Sequence, residues 1–153
     1  DLRGQIWTSY SSEILNGLLP TKMAFKHDKF NTNKQNVLRG IHGDNKTWKL
    51  VSCPFGEIEQ VVIDLRKESP SFKKWIKFHL SQENLKAILI PPGFGNAFCV
   101  LSADALYHYK LAYEGEYNDF DKQFTYAWND QTIGIDWTVT NPITSERDMM
   151  ESK

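Results

Sequence analysis

The 153-residue chain contains no apolar run near the ~20 residues that a membrane-spanning helix needs. It has two cysteines and no Cys-x-x-Cys pair, so the spacing of a zinc ribbon or a dithiol redox centre is missing. Its four histidines never form a His-x-His, which removes the usual ligand spacing of metal-holding β-barrels. We expect no metal and no cofactor. Neither charge sign dominates: 18 basic residues stand against 19 acidic ones, for a net charge of −1. That offers no electrostatic case for a nucleic-acid partner or an anionic membrane surface. Low-complexity tracts, internal repeats and linkers are also missing, and residues 1–153 are expected to form one domain. The chain starts at Asp1 rather than Met, which suggests a trimmed N-terminus.

What is present reads mainly as strand. Extended patterns cover residues 4–10, 22–30, 37–43, 47–53, 57–66, 74–80, 86–91, 97–101 and 105–112, with Pro and Gly clusters between them. Aromatic residues make up 13% of the chain and suit a pleated, half-buried surface. The expected class is all-β, a sandwich or barrel with short peripheral helices. One helix is predicted over 12–19 behind Ser12 as N-cap, and a further turn or two over 143–151. Cys53 and Cys99 fall inside strand patterns and read as reduced, buried thiols of a cytoplasmic protein.

Chemistry concentrates in VLRGIHGD, residues 37–44. An apolar strand here presents Arg39, then His42 between Gly40 and Gly43. On strict alternation the two side chains point to opposite faces, but Gly40 lies between them, and a glycine inside a strand often marks a bulge that re-aims its neighbours. A wet edge and a shared site both remain open on this pattern. The other histidines carry weaker signals. His79 and His108 alternate with strand neighbours as structural residues, and His27 sits among charges in FKHDKF.

Six segments in register carry a resemblance: VLRGIHGD, KLV (49–51), GEIEQVVIDLRKESPSF (56–72), LSQEN (80–84), IPPGFGNAF (90–98) and WNDQTIGIDW (128–137). Together the chain resembles the dTDP-4-dehydrorhamnose 3,5-epimerase family. The resemblance implies a cupin-like antiparallel β-barrel (jelly roll) that works without metal, as a homodimer. It implies proton abstraction beside the C4 ketone of a nucleotide-linked 4-keto-6-deoxy sugar and reprotonation from the other face. His42 then matches the base, Asp148 in TSERD the carboxylate that orients it, Tyr109 the acid, and Lys49 a cation beside the developing enolate. Arg39 matches a substrate contact, and Arg3 in DLRG a residue reaching the neighbouring subunit's nucleotide.

The departures shape the finer expectation. Asn96 stands where the family usually has His, and Asn cannot relay a proton at neutral pH. His27 and Lys29 replace neutral amides that commonly contact substrate. Gly43 replaces an aromatic residue, which is expected to leave more room near the base. The loop after Tyr109 is about three residues longer than the family pattern, a comparison of motif spacing. These features resemble the sub-branch acting on GDP-linked 4-keto-6-deoxy-heptoses in capsule biosynthesis, so a GDP-linked sugar is expected in preference to a dTDP-linked one. The alternatives are a dTDP-hexose 3,5-epimerase or ketoisomerase, and a non-catalytic barrel that binds a nucleotide-sugar or glycan.

Overall fold

Residues 57–64 read EIEQVVID and are buried at almost every position, because their strand is covered on both faces. It lies between β5 (Trp75–Ser81) and β7 (Phe94–Val100) in a computed structural model that describes residues 1–20 and 23–150. The strands are β1 (Phe25–Lys34), β2 (Leu38–Gly43), β3 (Trp48–Phe55), β4 (Glu57–Asp64), β5 (Trp75–Ser81), β6 (Ala87–Ile90), β7 (Phe94–Val100), β8 (Asp104–Ala112) and β9 (Phe124–Thr125). They form two antiparallel sheets, β1-β8-β3-β6 and β5-β4-β7-β2-β9. The cupin-like, mostly β architecture is thus the expected one.

Alternation along β3, β4, β7 and β8 produces two apolar layers. Val51, Ile58, Leu80, Phe98 and Tyr107 pack between the sheets. Ile41, Val61, Ile63 and Ala97 face the other way and are covered by Trp75, Tyr126 and Trp137. The double coverage explains why Glu59 is buried on an outer face: its carboxylate accepts from the Thr138 N–H at 3.0 Å and lies 3.2 Å from Lys77 Nζ. A buried charge held this way keeps its hydrogen bonds after leaving water.

Several boundaries differ from the sequence reading. Residues 4–10 form no strand: Ile6 is fully exposed, and the segment finds no sheet edge to pair with in one chain. The helix is only Ser12–Leu15 (α1), with Ser11 rather than Ser12 as N-cap, and continues as a 3-10 turn over Asn16–Leu18. Strand β1 starts at Phe25, and the expected Lys22 lies outside the described residues. Near the C-terminus the expected turn is a 3-10 helix, Glu146–Met149, closed by a capping box between Ser145 and Asp148. Glu151 lies outside the described residues.

The bulge at Gly40 is present. Arg39 is opposite Phe98 and His42 opposite Asn96, so three steps on β2 match two on β7. Gly40 has φ +120°, and a Cβ there would come within 2.6 Å of Ala97 Cβ and of the Asn96 carbonyl. Only glycine satisfies both constraints. Gly40→Ala is therefore expected to destabilise the protein by about 2 kcal/mol or more in urea unfolding. An unchanged midpoint would mean that the bulge is not tightly packed.

Candidate active site

The bulge turns both β2 side chains toward one cavity of about 220 Å³ between the sheets, lined among others by Arg39, His42, Lys49, Asn96 and Tyr109. Strand β3 contributes Lys49 and β8 contributes Tyr107 and Tyr109 from the same face. His42 and Tyr109 belong to different sheets and so stand on facing walls. The wet-edge reading of VLRGIHGD is thereby set aside.

His42 is positioned from behind. Its Nε2 lies 2.9 Å from Asp148 Oδ1, an ion-pair distance that lacks the alignment of a full hydrogen bond. Asp148 is buried and accepts from the Gly40 N–H at 3.1 Å, the Ser145 N–H at 3.1 Å and the Ser145 hydroxyl at 2.7 Å. Burial alone would raise its pKa, but the contacts with His42, Ser145 and Gly40 outweigh this and hold it below the ordinary value. An ionised carboxylate at Nε2 favours the proton on that nitrogen and leaves Nδ1 as the basic one.

The His42 pKa is lowered, first by burial; Asp148 opposes the shift, while the Arg147 and Lys49 charges add to it. The imidazole is consequently neutral at pH 7. Burial also lowers Lys49, to about 8, against the opposing charge of Asp44. Tyr109 is raised, chiefly by burial, so its phenol keeps its proton. One cavity thus combines a neutral base, a retained ammonium and a protonated phenol.

Asn96 lies at the floor, where its Oδ1 accepts from Gln60 Nε2 at 2.6 Å and lies 3.2 Å from the Tyr107 hydroxyl. Gln60 also donates to the Val61 and Ala97 carbonyls, which fixes its amide and, through it, the orientation of Asn96. Lys29 lines the cavity and donates to the Tyr117 hydroxyl at 3.0 Å. His27 stands just outside, with its ring against Tyr113 and Tyr117. Arg39 donates to Asn33 Oδ1 at 2.7 Å. Arg3 does not join the site in a single chain; it is exposed and pairs with Asp1.

The expectation of extra room beside Gly43 is overturned. A Cβ at Gly43 would meet Phe124 ring atoms at 2.5 Å and the Phe94 carbonyl at 2.4 Å, so β9 fills the space that the missing aromatic side chain leaves. Sequence reasoning also passed over Arg147, which lines the cavity and donates to Thr125 Oγ1 at 3.2 Å, Gln123 Oε1 at 3.2 Å and the Phe120 carbonyl at 3.3 Å. Its position beside Asp148 in TSERD was the available signal. Among the described residues, no three His, Cys, Asp or Glu side chains group closely enough to hold a metal ion.

A larger cavity of about 440 Å³ lies where the N-terminal arm crosses the four-stranded sheet. Its only imidazole is committed, with Nε2 of His108 to Asp28 and Nδ1 within 3.3 Å of Ser52 Oγ. The smaller cavity is where His42, Lys49 and Tyr109 converge.

The family model for dTDP-4-dehydrorhamnose 3,5-epimerase matches residues 1–153. The chain belongs to this family. It is an isomerase acting on carbohydrates, a nucleotide-sugar epimerase. The dTDP-4-dehydrorhamnose 3,5-epimerase of Salmonella typhimurium is 39% identical over 140 residues, covering 90% of this chain and 75% of the relative. The family member from Bacillus anthracis, solved with TDP and PPi bound, superposes with a TM-score of 0.88 at 34% identity, over 99% of this chain and 86% of that one. The Legionella pneumophila epimerase, in complex with dTDP-4-keto-L-rhamnose, gives a TM-score of 0.87 at 34% identity, over 97% and 79%.

The dyad geometry of this epimerase makes a direct prediction for NMR titration of the imidazole. The His42 midpoint should fall below 6.5, and Asp148→Asn should lower it further, because the group that favours the imidazolium is lost while burial remains. A midpoint that rises in the variant would contradict the pairing.

Proposed function

We propose that the protein inverts C3, and C5 as well, of a dTDP-linked 4-keto-6-deoxy sugar. His42, oriented by Asp148, removes the proton beside the ketone. Lys49 carries the charge that develops on the enolate oxygen, and Tyr109 returns a proton from the facing wall. The observation that carries this reading is the neutral His42 imidazole beside the Asp148 carboxylate and, on the facing wall of one cavity, the Tyr109 phenol, with the Lys49 ammonium between the sheets. A neutral imidazole can accept a proton, a phenol that keeps its hydrogen can supply one, and a desolvated cation stabilises an oxyanion more strongly than one in water. Lys29, Arg39, Lys49 and Arg147 also make the cavity rich in cations, which suits a diphosphate. A binding-only barrel has no use for the acid and base.

The GDP-heptose and capsule expectation finds no support in relatives named for dTDP-linked sugars, and the roomier pocket that favoured it is filled by Phe124. The dTDP alternative is therefore preferred. We further infer a homodimer, supported by the exposed Leu2, Ile6 and Trp7 of the N-terminal arm that carries Arg3. The buried free thiols Cys53 and Cys99 suit a cytoplasmic location.

Incubation with dTDP- and GDP-linked 4-keto-6-deoxy sugars in D2O tests the reading. Deuterium is expected at C3 and C5 of the dTDP substrate, with slower exchange for GDP. Preference for the GDP sugar would reverse the nucleotide assignment, and exchange at C5 but never at C3 would overturn the placement of the base.

The pH profile of kcat/KM should be a bell. Activity rises with pH as His42 loses its proton, at a pKa below 6.5, and falls near 8 as Lys49 loses its charge. Lys49→Met is expected to lower kcat about 100- to 1,000-fold, the effect of a lost oxyanion donor. EDTA should leave turnover unchanged. Restoration of activity by zinc or iron after chelation would refute the metal-free mechanism.

A further inference from the structure

The loop between β2 and β3, which carries the chain from one sheet to the other, holds two polar atoms that the described residues leave without a partner. Asp44 and Thr47 are 4% and 3% exposed, and both line the cavity that contains His42 and Lys49. Asp44 Oδ1 accepts from the backbone N–H of Lys46 at 2.9 Å and of Thr47 at 2.7 Å, a turn that fixes the orientation of the carboxylate. Its second oxygen, Oδ2, has no partner among the described residues, and neither has Thr47 Oγ1. Buried polar groups are nearly always satisfied, and leaving one unmade opposes folding. Two such atoms three positions apart, one an acceptor and the other able to donate, suit a ligand group that donates and accepts at once. A hydroxyl is such a group.

A simpler role for Asp44 is to serve as the counter-charge of Lys49, whose amine it holds toward the charged form against the effect of burial. That role requires only charge and leaves the Thr47 hydroxyl without a use. The hydroxyl decides between the two.

We propose that Asp44 and Thr47 form a recognition subsite for one hydroxyl of the bound sugar, Asp44 Oδ2 accepting its hydrogen and Thr47 Oγ1 donating to its oxygen. The proposal rests on the epimerase reading above. The subsite lies on the loop between His42 on β2 and Lys49 on β3, so it sets the sugar ring against the base and the enolate donor. Discrimination follows from the same arrangement, because a sugar lacking that hydroxyl leaves both atoms buried and unpaired.

The test pairs two variants with two substrate analogues. Thr47→Val removes the hydroxyl at similar shape. Asp44→Asn keeps Oδ1 for the turn and replaces the acceptor Oδ2 with a donor. With the full dTDP-linked 4-keto sugar, Thr47→Val should raise KM roughly tenfold and Asp44→Asn roughly 10- to 100-fold. Against the 2-deoxy and 3-deoxy analogues, one of the two should show no further loss in Thr47→Val, because its missing hydroxyl is the one recognised. Binding of dTDP alone, which has no sugar, should be unchanged in both variants. Thr47→Val should unfold at the same or a higher temperature than the wild type, so a loss of function cannot be ascribed to misfolding.

Unchanged KM in Thr47→Val, or equal losses with both analogues, would overturn the subsite. An Asp44→Asn effect confined to the alkaline limb of the pH profile would also overturn it, in favour of the counter-charge. A wild-type protein that binds dTDP but exchanges no proton in any 4-keto sugar would instead remove the epimerase reading itself.

Discussion

The pairing of His42 with Asp148 joins parts of the chain more than 100 residues apart and sets the geometry of everything around it. A carboxylate this deeply buried is stable only if its oxygens are occupied. Asp148 achieves this by accepting from the Gly40 N–H in the bulge, from Ser145 in the cap of its own 3-10 turn, and by facing the imidazole. The same contacts that make the carboxylate tolerable also hold the β2 bulge open. Without the bulge, Arg39 and His42 would face opposite sides of the sheet.

Around this constraint the cavity arranges charges of different kinds. Desolvation keeps the imidazole neutral, and the nearby cations Arg147 and Lys49 reinforce the effect. The opposing wall supplies a phenol whose burial preserves its proton. Base and acid therefore reach neutral pH in complementary states without needing unusual pKa values. Arg147 contributes twice, as a charge near His42 and as a strap from the Asp148 turn to the Phe120–Thr125 segment.

The strands and the bulge were legible in the sequence because they depend on local rules, whereas the pairing of His42 with Asp148 and the roles of Tyr109 and Lys49 came from the family resemblance. The patterns of EIEQVVID and ALYHYKLA predicted strands, and both form. Gly40 marked the bulge. What escaped was set by distant partners. Residues 4–10 have a strand-like pattern but find no edge to pair with, and the two-residue β9 has almost no pattern to read. Gly43 looked like open space because the ring of Phe124, 81 positions later, cannot be seen from its neighbours. Asp44 forms a turn with Lys46 and Thr47, and its second oxygen, unpartnered among the described residues, is visible only in three dimensions.

The central claim is a division of labour across the cavity, with His42 removing the proton and Tyr109 returning it from the other side. Proton NMR in D2O on two variants, read separately for exchange and for inversion at C3, tests this most directly. His42→Asn should abolish both. Tyr109→Phe should keep the exchange, since the imidazole can still remove a proton and return a deuteron on its own face, while inversion is lost. If exchange and inversion fall together in Tyr109→Phe, or if His42→Asn still exchanges C3, the account of the two walls is wrong.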